Sequence, residues 1–213
     1  NTCLDIPITA DTTVTRLFGD KLEVSTNFVE IHISNTDRVL SVAVTNLGED
    51  VYDDQDIVLG TALVPGVGNL LVFFNKWTKI TTPLTKLFMP NPDYRRNAGY
   101  NINAASGGTL NGDAVPDILT GLDCVAAPNI QVWPTGSGGL LSLTPYASYI
   151  SSGTNVIMDN KLVNLDGDGD LDLVVGLKST LGTFSGGFQT FLGSGSGTFT
   201  SYQYVTTAGL HGD

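Results

Sequence analysis

Basic residues are scarce in this 213-residue chain: 10 Lys and Arg stand against 21 Asp and Glu, for a net charge of −11. The one basic pair, Arg95-Arg96, has no basic neighbours. The chain therefore lacks the cationic density that a phosphate backbone demands, and nucleic acid is not expected as a partner. The pair reads instead as a loop contact. Only two cysteines (Cys3, Cys124) and two histidines (His32, His211) occur, none at metal-ligand spacing, which excludes zinc and thiol chemistry. No Ser-His-acid pattern points to a nucleophile, and the abundant carboxylates at Asp53, Asp54 and Asp56 do not by themselves define a glycosidase pair. An enzyme is not expected. No stretch approaches the ~20 apolar residues of a membrane-spanning helix, so no membrane insertion is expected. No Asn is followed two residues later by Ser or Thr, so N-linked glycosylation is not expected either.

What the chain does have is glycine, 25 residues of it, and one dense acidic run. Residues 164–172 read NLDGDGDLD. Asn164, Asp166 and Asp168 place side-chain oxygens at alternate positions, the Asp170 carbonyl offers another, and Asp172 closes the run with a carboxylate. Gly167 and Gly169 allow the tight turn between them. A loop of this kind supplies most of the 6 to 8 oxygens that Ca2+ takes. It is not an EF-hand, because the twelfth residue counted from Asn164 is Val175 rather than Glu. The flanks LVN and LDLVVG are short and β-branched, so the loop is expected to join two strands.

The pattern repeats, and internal repeats decide a fold before any other signal. TLNGDAVPDILTG (109–121) aligns with NLDGDGDLDLVVG (164–176), which sets Asn111 and Asp113 beside Asp166 and Asp168, and Asp117 beside Asp172. NLGEDVYDDQDIVLG (46–60) keeps the terminal Asp56 and its Ile-Val-Leu-Gly but not the loop glycines. The three terminal aspartates are 61 and 55 residues apart, a length suited to one four-stranded unit. After each comes an alternating strand ending in a Gly- or Asn-rich turn: GNLLVFFN (68–75), PNIQVWPTG (128–136) and GGFQTFLGSGSGTF (186–199).

These residues resemble the FG-GAP or VCBS repeats of integrin-like β-propellers, in which an acidic calcium loop of the form D-x-D-G-D-G-x-x-D runs into a strand ending in Gly. The resemblance covers most of the chain from about residue 40. It implies an all-β fold of propeller blades, each a four-stranded antiparallel sheet, in a single region spanning 1–213. The approximate repeats are 1–40 (a partial blade), 41–103, 104–158 and 159–213. In the early segment, Phe28, Ile31 and Ile33 are the expected buried positions. The implied cofactor is Ca2+, held most strongly by Asn164, Asp166, Asp168, Asp170 and Asp172 and more weakly by Asn111, Asp113 and Asp117. The loop at 46–60 is not expected to hold a metal.

About three to four repeats do not close a propeller, which takes roughly four to eight blades. The expected partners are therefore other copies of the chain or the rest of a longer protein. In a secreted calcium-loop protein two cysteines suggest a Cys3–Cys124 disulfide, although Cys124 also reads as a small buried hydrophobe. The resemblance implies an extracellular or cell-surface location. The leading functional expectation is a structural or adhesive module. A glycan-binding propeller, with Trp77, Trp133 and Tyr146 stacking on sugars, is the alternative, and a polysaccharide-active enzyme the third. Val132 and Trp133 alternate, so a buried Val132 predicts an exposed Trp133.

Overall fold

The computed structural model describes residues 14–18, 21–25, 37–48, 55–63, 66–75, 91–125, 127–153, 155–180 and 186–206. The β-branched and aromatic runs between the glycine-rich turns all form strands, and every pairing among the described residues is antiparallel. A first ribbon pairs β1 (Val14–Phe18) with β2 (Lys21–Ser25). Three four-stranded sheets follow. The first holds β3 (Asp37–Thr45), β4 (Asp56–Leu63), β5 (Asn69–Phe73) and β6 (Tyr94–Asn97) in that order. The second begins with β7 (Ile102–Gly108), β8 (Asp117–Leu122) and β9 (Ile130–Trp133), makes a short ribbon of β10 (Thr135–Gly136) and β11 (Leu140–Leu141), and ends with β12 (Ala147–Tyr149). The third holds β13 (Asn155–Val163), β14 (Asp172–Ser179), β15 (Gly187–Gly193) and β16 (Phe199–Thr206). The all-β expectation thus holds, with four-stranded antiparallel sheets as the repeated unit.

The sheets stack face to face through their first strands: β7 packs on β3 and β4, and β13 packs on β7 and β8. Thr45 at the end of β3 meets Gly107 near the end of β7, and Leu162 near the end of β13 meets Gly108, so the three first strands run in the same direction. One core lies between sheets one and two, where Val58, Leu70 and Val72 meet Ile102, Ile118 and Leu122. A second lies between sheets two and three, built from Leu119, Ile130, Val132, Ile157, Leu173 and Val175. The middle sheet is consequently apolar on both faces, and every residue of β8 is buried. A smaller cluster of Leu59, Leu71 and Phe73 sits on the other face of sheet one.

Each first strand carries a bulge at the same place, between Val39 and Ser41, between Ile102 and Ala104, and between Ile157 and Asp159. The extra residue turns the segment before the bulge toward the preceding sheet. There Ile102 seats over Gly60 and Ile157 over Gly121, the glycines that end DIVLG and DILTG. A Cβ at Gly60 would overlap the Ile102 side chain, and one at Gly121 would overlap Ile157. Glycine is used at these two positions for close approach rather than for its backbone freedom.

One expectation is corrected here, and a second, the disulfide, involves a residue outside the described ones. Val132 is buried, yet Trp133 is only 1% exposed as well, because sheet two is covered on both faces. Its indole N–H donates to Thr120 Oγ1 at 3.1 Å, and the ring is not open for a sugar to stack on. The Cys3–Cys124 disulfide is not seen: Cys124 is a free, buried thiol whose Sγ lies 3.4 Å from the Pro128 carbonyl. Its second reading, as a small buried hydrophobe, fits this setting. Cys3, Phe28, Ile31, Ile33, Trp77, His32 and His211 lie outside the described residues.

The notch predicts a steric penalty. Gly121→Ala should lower stability by about 1–3 kcal/mol through overpacking against Ile157, read as a drop in the urea midpoint with an unchanged slope.

Candidate metal centre

The loop from Asn164 to Leu171 joins β13 to β14 and turns on two glycines at positive φ, Gly167 (84°) and Gly169 (102°). Its alternating side chains bond locally. Asp166 Oδ1 accepts the Asp168 N–H at 3.1 Å, Asp168 Oδ1 accepts the Asp170 N–H at 2.8 Å, and Asn164 Oδ1 accepts the Gly167 N–H at 2.7 Å. This is the habit of Asx residues in turns. Asp166 and Asp168 are exposed, while the Asp170 carboxylate leans on Gly195 in the β15–β16 turn.

Asp172 plays a different part. As the first residue of β14 it is fully buried, its Oδ2 accepting the Leu165 N–H at 2.6 Å and its Oδ1 the Gly193 N–H at 2.8 Å. One carboxylate thereby fixes the start of the acidic loop and the end of β15, which are far apart in sequence. Hydrogen bonds to an ionised acceptor are the strong kind, at about 1.5–3 kcal/mol each.

The second loop repeats this arrangement. Asn111 Oδ1 accepts the Asp113 N–H at 3.0 Å, and Asp113 Oδ1 accepts the Val115 N–H at 2.9 Å. Asp117 is fully buried, and its Oδ1 accepts the Thr135 N–H at 2.9 Å. Its Oδ2 makes no hydrogen bond of full geometry, although the Leu110 N–H still acts on the carboxylate. Burial, with a smaller push from the Asp113 charge, raises the Asp117 carboxyl from its ordinary 3.8 to about 6, against the pull of the Thr135 and Leu110 N–H groups. In the first unit Asp56 forms the same bracket, Oδ2 to the Leu47 N–H (2.8 Å) and Oδ1 to the Asn75 N–H (2.9 Å). Residues 49–54 of that loop lie outside the described residues.

The three loops lie along one edge of the stack. Gly48 is near Val115, and the turn of sheet three closes over the second loop, with the Gly197 N–H donating to the Leu110 carbonyl at 2.6 Å. Between them is a cleft of about 280 Å³, with Asn111, Asp113 and Asp117 on one side and Tyr146, Ser196 and Gly197 on the other. Tyr146 is 59% exposed there. Arg95 and Arg96 lie in strand β6 rather than in a loop, and the Arg96 guanidinium donates to the Ser142 and Leu141 carbonyls and lies 4.9 Å from the Tyr94 ring centre.

As donors, Asn164, Asp166, Asp168 and Asp170 suit a hard cation, being oxygen ligands only. As placed, their side chains serve the backbone, and among the described residues no three acidic, histidine or cysteine groups converge on a point that could hold a metal. The sequence pattern missed the second arm of the aspartate bracket, to Gly193, Thr135 and Asn75. Its signal was present in the 46–60 segment, where Asp56 stays although the ligand pattern around it is lost. In comparison with known proteins, the chain matches no protein-family model and no curated protein.

Two outcomes are expected. In chelator, Asp172→Ala should cost about 3–6 kcal/mol, because it removes two hydrogen bonds to a buried carboxylate at about 1.5–3 kcal/mol each, whereas Asp168→Ala should change the urea midpoint little. Because the folded pKa of Asp117 lies above its ordinary value, its favourable contribution is fully present below about pH 4 and fades as pH rises through about 6. Wild type measured against Asp117→Asn in chelator should therefore lose up to ~3 kcal/mol between those limits, as read by urea denaturation across the pH range.

Proposed function

We propose that the chain is a calcium-stabilised structural or adhesive module of the FG-GAP/VCBS type, acting outside the cell or at its surface. In this reading its sheets are blades of a propeller-like stack. The observation that carries the proposal is the division of labour inside residues 164–172. Asp172 holds the loop to its sheet, while Asn164, Asp166 and Asp168 stay exposed, their oxygens bonded only to N–H groups within the loop itself. Three ionised carboxylates within five residues repel one another, and a divalent cation offsets that repulsion. When bound, calcium would supply a rigid cross-link between residues of one loop. Asn111 and Asp113 form the weaker counterpart in the second loop.

A glycan-binding role is the second reading, favoured by the exposed Tyr146 ring in a cleft that mixes acidic residues with Val132 and Pro134. It does not include Trp133.

The test is calorimetric titration with Ca2+ alongside thermal melts in calcium and in chelator. Calcium should raise the melting temperature, with stabilisation of about 2.7 kcal/mol when the ion is at a hundred times its Kd, and Asp168→Ala should abolish most of that gain. Melts identical in calcium and chelator would overturn the metal reading. Retention on immobilised glycans, lost in Tyr146→Ala, would then favour the second.

A further inference from the structure

The two internal seams are built alike, each from a knob before a bulge and a notch made by glycine. Ile102 sits over Gly60, and Ile157 sits over Gly121. Strand register identifies the remaining member of each set. Val39 pairs with Thr61 just before the β3 bulge, as Ile102 pairs with Leu122 and Ile157 with Leu177. Val39 is therefore the knob of sheet one, and it points away from sheet two, 42% exposed. Gly176 pairs with Asp159 after the β13 bulge, as Gly60 pairs with Ser41 and Gly121 with Ala104. It is the notch of sheet three. A Cβ there would meet nothing nearer than Asp159 at 3.8 Å among the described residues, so none of them fills it.

The surroundings match in part: small residues flank the internal notches, Ser41 and Ala43 on β3 and Ala104 and Ser106 on β7, whereas the same positions on β13 hold Asp159 and Lys161, an exposed ion pair at 3.8 Å. Internally, the far end of each seam brings Gly107 against Thr45 and Leu162 against Gly108. The equivalent residues at the two ends of the stack are Val44 on β3 and Val163 on β13, 60% and 40% exposed. Phe188, which pairs with Gly176, is also exposed beside the notch. Among the described residues, one end of the stack thus carries a knob with no notch, beside the exposed Leu40, Val42 and Val44, and the other a notch with no knob, bordered by Phe188, Val163 and the Asp159–Lys161 pair.

We propose that a second copy of this chain docks head to tail on the first, with Val39 over Gly176 and Val44 against Val163, continuing the stack through a third seam of the same construction. A second copy is the occupant because the complementary surface is its own opposite end. The contact is heterologous, so it propagates into a ring or a filament rather than ending at a symmetric pair. The inference rests on the structural-module reading for its purpose, but its geometry does not depend on calcium.

The experiment measures mass by light scattering across a wide concentration range, with calcium and with chelator. Wild type should associate as concentration rises. Gly176→Val fills the notch where the single chain has room for a side chain, and Val39→Asp places a charge on the knob. Each variant alone should remain a monomer with an unchanged urea midpoint. Mixed in equal amounts they should form a one-to-one dimer that grows no further, because the Gly176→Val copy keeps its knob and the Val39→Asp copy keeps its notch. A wild type that stays monomeric, single variants that associate as wild type does, or a mixture that stays monomeric would each overturn the proposal. Association without any calcium effect on the melts would leave this seam standing and remove the calcium reading, and the reverse pattern would do the opposite.

Discussion

A buried carboxylate at the head of the second strand holds each unit of this protein together. Asp56, Asp117 and Asp172 are each fully buried at the head of a strand, where an ionised group is costly unless it is hydrogen-bonded. Asp56 and Asp172 meet that cost with two backbone N–H donors apiece, one at the start of the preceding loop and one after the third strand. The bonds close the first and second hairpins of each sheet onto a single residue. Packing between sheets then has a fixed frame on which to place the isoleucine knobs.

Asp117 departs from that pattern in an informative way. Burial is the largest cause of its raised pKa, with a smaller push from Asp113, and the Thr135 and Leu110 N–H groups pull the other way without offsetting it. The same geometry in Asp172, with both oxygens engaged, shows what the frame looks like when it is complete. Within one chain, then, repeated units keep the residue and vary its satisfaction.

Much of the architecture was legible in the repeats. The Asp-led strands after 56, 117 and 172 form as their β-branched patterns suggest, and the loops at 111–117 and 166–172 are built alike down to their local hydrogen bonds. The rest was hidden for physical reasons. Alternation predicts exposure only when one face of a sheet is wet, so Trp133 misled while sheet two was not known to be covered on both sides. The bulges broke the period of the first strands and concealed which of their residues face the neighbouring sheet. The glycine that ends each second strand reads as a turn signal in sequence, and only stacking shows it to be a seat.

Because β3, β7 and β13 run in the same direction, the loops that follow them emerge on one rim. Asp113, Asp166, Asp168 and Asp170 are therefore gathered along a single border. Among the described residues, that border carries a concentration of negative charge. At low ionic strength, where fields reach tens of ångströms, that border is turned toward cationic surfaces and away from its like; at about 0.15 M salt the reach shrinks to ~8 Å and the bias acts only at contact.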